Sequence, residues 1–357
     1  MPIRSTLATA LTTRLKAEDR HFNVRWAQAP AAGRASRGPA EDPAQTNFGV
    51  RRVEVLPGNV GYLDMGYFAD FDFADAQAPA RQAIDAALQL LGHADALVID
   101  LRDNGGGSPA MVGYLASAFV APGADIYNTF HSREGTESEA PATPHAAPRT
   151  QVPLYVLTSG RTGSAAEAFA YTLKNARRAT VVGEASAGAA NPGQPFRLDD
   201  GYSVFVSTGS PVSPVTGRNW EGSGVQPDVE VPASDASARA QQLALATLVE
   251  RGAGTAARWS LEALSARPAA PTTTDRAAQA GQYGVVAIEG VGDALQLRQG
   301  RRPPLQLRPL AADLYFFDGN PTRRVRFERA PAGDVVALEV QMADGNVARY
   351  MRGAGEP

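Results

Sequence analysis

Leu154-Tyr-Val-Leu-Thr-Ser-Gly-Arg-Thr-Gly-Ser-Ala-Ala-Glu167 carries an apolar run into a glycine-broken turn and out into a second apolar run. Leu154 to Leu157 is short and β-rich, as a buried strand is. Ser159, Gly160 and Gly163 interrupt it. From Ala165 to Leu173 the apolar residues Ala165, Phe169 and Leu173 fall four apart, which predicts a helix. Ser164 therefore stands at a helix N-terminus, where unpaired backbone N–H groups and the positive end of the helix dipole favour negative charge. A hydroxyl nucleophile needs such a place, because the next N–H can stabilise the oxyanion formed as it attacks. Ser164 with Glu167 is also Ser-x-x-Glu, a capping box, so this segment alone leaves two readings open.

A second stretch, Ala96-Leu-Val-Ile-Asp-Leu-Arg-Asp-Asn-Gly-Gly-Gly107, is again an apolar strand, here ending in three glycines before a helix. Glycines there allow positive φ angles and close backbone approach, so their N–H groups can converge on a ligand oxygen. A tight strand-to-helix turn would use the same residues. A nucleotide site is not indicated, since neither a Gly-Lys-Ser/Thr phosphate loop nor Gly-x-Gly-x-x-Gly spacing is present.

Four motifs follow one another along the chain. They are Asp100-Leu-Arg-Asp-Asn-Gly-Gly-Gly107, the Gly163-Ser-Ala-Ala-Glu167 helix start, Val182-Gly-Glu-Ala-Ser-Ala-Gly188, and Asn219-Trp-Glu-Gly-Ser-Gly-Val-Gln-Pro-Asp228. The series resembles the C-terminal-processing (tail-specific) serine peptidases, whose relatives include the tricorn core protease and the interphotoreceptor retinoid-binding protein. The resemblance covers about residues 10 to 232. It implies an α/β fold whose catalytic core is a crotonase-like spiral of ββα units.

The resemblance offers two catalytic versions. In the processing-protease branch a lysine follows the second glycine of the Gly-Glu-x-x-x-Gly motif, and Ala189 stands there in this chain. The only lysines are Lys16, ahead of the catalytic body, and Lys174, on the serine's own helix and expected to be a solvated charge. The tricorn-like branch uses Ser, His and Glu. Its histidine follows an N-terminal helix, as His21 does, and its glutamate precedes the Gly-Val-x-Pro-Asp motif, as Glu221 does. Arg20 replaces the serine that precedes the tricorn histidine. The resemblance thus implies Ser164, His21 and Glu221 as the catalytic set, with the N–H groups of Ala165 and Gly106 as the oxyanion hole. His93, His131 and His145 are expected to be structural or solvated, with His131 the reserve base.

Composition narrows the classes. The chain has 357 residues and a net charge of −3, so no polyanion-binding signature is present and nucleic acid is not an expected partner. Cysteine is absent, which excludes disulfides, zinc–thiolate sites and thiol catalysis. No metal and no cofactor are implied. No apolar run reaches membrane-spanning length. Met1-Pro-Ile-Arg-Ser-Thr lacks the basic-then-apolar layout of a secretory signal, while the family resemblance points to an extracytoplasmic, periplasmic setting.

Working outward, residues 3–18 read as a helix with Leu7, Leu11 and Leu15 on one face, and His21 to Trp26 as a half-buried strand. Ala27 to Asn47 reads as a linker. Only about 21 residues separate Trp26 from Phe48, too few for the PDZ domain that many processing proteases carry. Strands are predicted at Val50–Val55 and Val60–Met65, helices near Arg81–Leu91 and Pro109–Val120, and a polar loop, a candidate flap, over Ser132–Thr150. Asp199-Asp-Gly201 marks a hairpin between Phe196–Leu198 and Tyr202–Ser207. After a helix at Ser237–Arg251 and a Pro/Thr linker at Pro268–Thr274, short alternating runs from Tyr283 to Val340 predict a small β-barrel or sandwich, with a weak resemblance to the lipocalin-like module of some bacterial peptidases. The expected divisions are 1–48, 49–233, 234–275 and 276–357. The expected activity is peptide-bond hydrolysis on peptides or unfolded polypeptides. A non-catalytic binder of apolar ligands on the same fold, or an esterase, remains open, and so does the oligomeric state.

Overall fold

The computed structural model describes residues 2–19, 21–27, 42–72, 75–267 and 271–353. Arg20, most of the segment read as the first linker, and residues 268–270 of the second lie outside the described residues. The chain divides into two compact units, one of residues 1–54 and 61–240, the other of residues 55–60 and 241–357.

In the first unit, helix α1 (Pro2–Leu15) leads to β1 (Asn23–Trp26). Then come β2 (Val50–Leu56), β3 (Val60–Met65), α2 (Pro79–Leu90), β4 (Ala96–Asp100), α3 (Pro109–Ser117), β5 (Thr129–Ser132) and β6 (Gly135–Ser138). They are followed by β7 (Leu154–Thr158), α4 (Ala165–Asn175), β8 (Thr180–Gly183), β9 (Gly193–Arg197), β10 (Tyr202–Ser207), β11 (Gly209–Val212) and β12 (Val229–Glu230). A six-stranded sheet runs β12-β8-β7-β4-β3-β2. The pairs β12–β8, β8–β7 and β7–β4 are parallel, with Leu97 opposite Leu154 and Val156 opposite Val181. Every residue of β4 and β7 is buried, which explains why both read as unbroken apolar runs rather than alternating ones. α3 and α4 join this sheet's core, where Phe68 and Phe169 meet with ring centroids 5.9 Å apart.

Two small sheets complete the unit. β1 pairs antiparallel with β10, and β10 with β9, so the hairpin signalled by Asp199-Asp-Gly201 forms and receives the N-terminal strand. Asp200 takes φ 58° and Gly201 φ 82°, the left-handed conformations such a turn demands. The second sheet runs β11-β5-β6. Here the sequence expectation fails: the stretch read as an irregular loop from Ser132 starts as a β5–β6 hairpin. Likewise, Leu7 and Leu11 on the expected apolar face of α1 are exposed, and Ala8 is the residue buried there.

The second unit has α5 (Ala236–Glu250), which spans the division, then α6 (Thr255–Ser265) and α7 (Thr273–Gln279). Eight antiparallel strands follow: β13 (Gly281–Tyr283), β14 (Val286–Val291), β15 (Ala294–Gln299), β16 (Leu305–Ala311), β17 (Leu314–Phe317), β18 (Asn320–Arg329), β19 (Val335–Met342) and β20 (Val347–Met351). An antiparallel bridge between Tyr283 and Arg352 joins first strand to last, so the sheet is a nearly closed barrel. Alternate residues, among them Ile288, Leu297, Leu307, Phe317 and Leu338, fill its core. Among the described residues no helix is long and apolar enough to cross a membrane.

Candidate active site

The C-terminal ends of the adjacent parallel strands β4 and β7 lead into the two turns singled out above, the position where open α/β sheets usually place ligands. Side chains sew the turns together. The Thr162 hydroxyl donates to the Leu101 carbonyl at 2.7 Å, and Gly163 N–H donates to the Asn104 carbonyl at 3.0 Å. Ser159 donates to the Arg102 carbonyl. Arg102 in turn clasps the buried Asp100 with Nε and Nη2, and Tyr62 donates to the same carboxylate. Burial pushes Asp100 upward, but the Arg102 and Tyr62 hydrogen bonds outweigh it and hold the carboxyl below its ordinary range.

Ser164 sits at the head of α4 with φ 52° and ψ −120°, a conformation glycine tolerates and serine rarely adopts. Strain of this kind persists only where the surroundings over-determine it. The surroundings are visible: a Cβ placed on Gly106 would lie 2.7 Å from the Ser164 Cβ and 3.1 Å from the Ala165 nitrogen. Gly106, with φ 119°, is thus pressed against the Ser164 turn, where no larger residue fits. One expectation is modified. Gly106 N–H donates to Asn104 Oδ1 at 2.9 Å, so the amide expected to complete an oxyanion hole is engaged in this structure. Ala165, as the first residue of the helix, has no carbonyl a turn earlier for its own N–H.

The capping reading of Glu167 is also present. Its carboxylate accepts from Ser164 N–H at 2.8 Å, and it accepts from three further donors, Gly188 N–H at 2.6 Å, Ala189 N–H at 2.8 Å and the Ser186 hydroxyl. Glu167 is fully buried. It fastens the strained serine turn to residues 186–189.

The same segment leads on to the other candidates. Ala190 and Asn191 donate their N–H groups to Glu221 Oε2, each at 3.0 Å. Asn219 Oδ1 accepts from Glu221 N–H at 3.0 Å, so both faces of that turn are fixed. Glu221 Oε1 lies 3.4 Å from His21 Nδ1, and Asp19 Oδ1 lies closer, at 3.1 Å. Asp19 also accepts from His21 N–H at 2.8 Å. Burial raises the Asp19 pKa, but the His21 hydrogen bonds prevail and leave the carboxyl below its ordinary value. With carboxylates as acceptors, Nδ1 carries the proton and Nε2 is the basic nitrogen. β1 anchors this histidine: Asn23 pairs with Phe205, and Val24 N–H donates to the Thr12 hydroxyl on α1.

Ser164, Glu167, residues 186–191, Glu221 and His21 thus form one continuous series of contacts. Asp19 was not singled out from sequence, Glu167 only as a helix cap and Asn219 only as the first residue of a motif. The Asp-x-His spacing of Asp19 to His21, which suits an Asx turn, was the available signal for the first. Lys174 is not the solvated charge expected; it pairs with Asp228, whose other oxygen accepts from Val181 N–H. Ten residues along α4 also place it about 15 Å from Ser164. His145 is structural: its N–H donates to the Ser117 hydroxyl, and its ring lies 6.2 Å from that of Tyr114. His131 lies exposed on β5.

Residues 59–231 match peptidase family S41. The chain is 32% identical over 154 residues to a carboxyl-terminal-processing protease of Synechocystis, covering 42% of this chain and 33% of that one. It is 29% identical over 195 residues to the chloroplastic carboxyl-terminal-processing peptidase 1 of Arabidopsis thaliana, covering 54% of this chain and 38% of the relative. This chain therefore spans between a third and two-fifths of the length of these relatives. Among solved structures, a photosystem II D1 C-terminal processing protease aligns at 26% identity and a TM-score of 0.37, over 49% of this chain and 42% of that one.

Proposed function

We propose that the chain is a serine peptidase of family S41, which residues 59–231 match, cutting peptides or unfolded polypeptides with Ser164, His21 and Glu221. The observation that carries this reading is the segment 188–191. Two of its amides hold Glu167 under the serine, and the next two hold Glu221 against His21.

In the proposed reaction His21 Nε2 takes the Ser164 proton as Oγ attacks the scissile carbonyl carbon. The tetrahedral oxyanion is met by Ala165 N–H and by an amide of the glycine turn, with Gly106 N–H sharing or leaving its Asn104 bond. Collapse breaks the C–N bond, and the imidazolium gives its proton to the leaving amine. Water then repeats the sequence on the acyl-serine and restores the enzyme. Glu221 and Asp19 orient the ring and stabilise its charge. The alternative Ser–Lys route lacks its lysine, since Ala189 occupies that place and Lys174 is paired with Asp228. On this reading the sheet and helices of residues 49–233 are the crotonase-like ββα spiral of such enzymes, and the setting is extracytoplasmic. A fluorophosphonate probe tests it: the label should appear on Ser164 with concomitant loss of peptide hydrolysis. A protein that neither hydrolyses peptides nor takes the label would instead be a binder of apolar ligands. Labelling with hydrolysis of esters alone would make it an esterase.

A further inference from the structure

The chain between α1 and β1 closes into one turn around Asp19. Asp19 N–H donates to the Leu15 carbonyl at 3.2 Å, and Phe22 N–H donates to the Asp19 carbonyl at 3.0 Å. The Asp19 side chain bonds inside the same turn: Oδ1 accepts from His21 N–H at 2.8 Å and lies 3.1 Å from His21 Nδ1. A single oxygen thus holds both the backbone and the ring of the candidate base, an Asx turn extended to the imidazole.

Glu221 meets the same nitrogen differently. Its Oε1 lies 3.4 Å from Nδ1, outside the range of about 2.7–3.2 Å in which an N–H···O bond has its full strength. Its Oε2 is already occupied by Ala190 N–H and Asn191 N–H, each at 3.0 Å. Nδ1 carries one hydrogen, and the nearer and better anchored acceptor is Asp19. The two carboxylates also differ in how they are tied to the base. Asp19 is two residues away within a closed turn, so its distance from the ring is fixed locally. Glu221 is fastened to the 190–191 backbone, so its distance depends on how that segment and β1 lie.

We infer that Asp19, not Glu221, is the carboxylate that holds the His21 Nδ1–H and so keeps Nε2 free to take the serine proton. Asp19 is then a positioning residue that the N-terminal segment brings together with its base. Glu221 braces residues 190 and 191 and adds a second negative charge beside the ring. The inference rests on the peptidase reading for its effect on turnover, but not for the hydrogen bond. A carboxyl that stays below its ordinary pKa despite burial fits an acceptor that remains charged there.

Asp19→Asn separates the ring bond from the turn. Its amide oxygen can still accept from His21 N–H, as asparagine does in Asx turns, so a merely structural role would leave turnover in place. A neutral amide does not stabilise the imidazolium, and with its NH₂ toward the ring it favours the wrong tautomer. On a fluorogenic peptide, kcat should fall about a hundredfold with KM within about threefold, whereas Glu221→Gln should lower kcat by less than about tenfold. Nitrogen NMR of the chain with isotope-labelled histidine reads the tautomer directly, with His21→Ala identifying the His21 signals. The neutral ring should carry its proton on Nδ1 in the wild-type chain and in Glu221→Gln, and lose that preference in Asp19→Asn. An Nε2–H ring in the wild-type chain overturns the inference. So does an Nδ1–H preference that survives Asp19→Asn but not Glu221→Gln, or an Asp19→Asn kcat within about twofold of the wild-type value. A wild-type chain that neither hydrolyses peptides nor takes a fluorophosphonate removes the peptidase reading, and the tautomer alone then decides. Its loss in Asp19→Asn upholds the Asp19–His21 bond, and its retention there overturns it.

Discussion

Glu167 and Glu139 are buried carboxylates of one unit, and they are treated in opposite ways. Glu167 is met by four donors from two stretches of chain, Ser164 and residues 186–189, so its carboxylate is held by fixed backbone amides and a hydroxyl. Glu139 is met only by Asn128, through its side-chain amide and its backbone N–H, leaving one oxygen without a partner, and burial pushes its pKa up to about 7. A fully answered carboxylate is part of the frame and holds the serine turn in a strained conformation. A half-answered one costs stability. The serine turn is thus held firmly in place, while Glu139 is only partly compensated.

The sharpest way to break this contrast is at the serine turn. Ser164→Ala and His21→Ala should each lower kcat on a fluorogenic peptide by about 10⁴ or more, and the double change should add little, because the pair acts as a unit. Glu221→Gln should cost less, since Asp19 lies even closer to Nδ1 and remains. Lys174→Ala, which loses only a half-exposed ion pair, should stay within a few-fold of the parent. Full activity in His21→Ala, or its loss in Lys174→Ala, removes the triad, with His131 the next base to examine.

The frame itself comes next. Glu167→Ala leaves four donors facing a cavity and should lower the unfolding free energy in urea by about 3–5 kcal/mol. An unchanged urea midpoint would mean that residues 186–189 are held by something other than this carboxylate.

Glu139 gives the smallest and most conditional effect. An unfolded glutamate ionises near 4.5, whereas folded Glu139 ionises near 7. Below the unfolded value both states are protonated, and folding bears no penalty. As pH rises through the folded value only the unfolded chain has gained by ionising first, and the native state loses up to about 3 kcal/mol. Glu139→Gln should therefore match the parent at pH 4 and exceed it by up to about 3 kcal/mol at pH 8. An equal gain at both values, read from denaturant midpoints, would place the effect in packing rather than ionisation.

How much was legible beforehand follows from the physics of each segment. β4 and β7 are buried on both faces, and such strands announce themselves as apolar runs whatever the neighbours do. The β5–β6 hairpin did not, because its residues are half-buried or exposed and carry no apolar alternation. α7 was hidden behind a Pro/Thr stretch that reads as linker, although Thr272 and Asp275 form its capping box. At the candidate site, Ser164, His21 and Glu221 were named from the order of motifs in the chain. The engagement of Gly106 N–H by Asn104 was not, since three consecutive glycine amides look alike until a side chain chooses one. Glu139 gave no signal at all: its burial depends on Asn128 and on its carbonyl packing against Gly113, contacts no local pattern encodes.

The barrel's closing bridge has a consequence for the timing of synthesis. Gly353 N–H donates to the Gln282 carbonyl at 2.9 Å, so the first strand of the barrel is sealed by residues translated about seventy positions later. While the ribosome is still making β20, β13 has an open edge and the barrel a missing stave. Neighbouring hairpins can zip in order as they emerge, but the ring closes only when the last strand is released. A ribosome paused before residue 347 would hold a curled, open sheet with exposed edges, the form in which this module is most prone to pair with another chain.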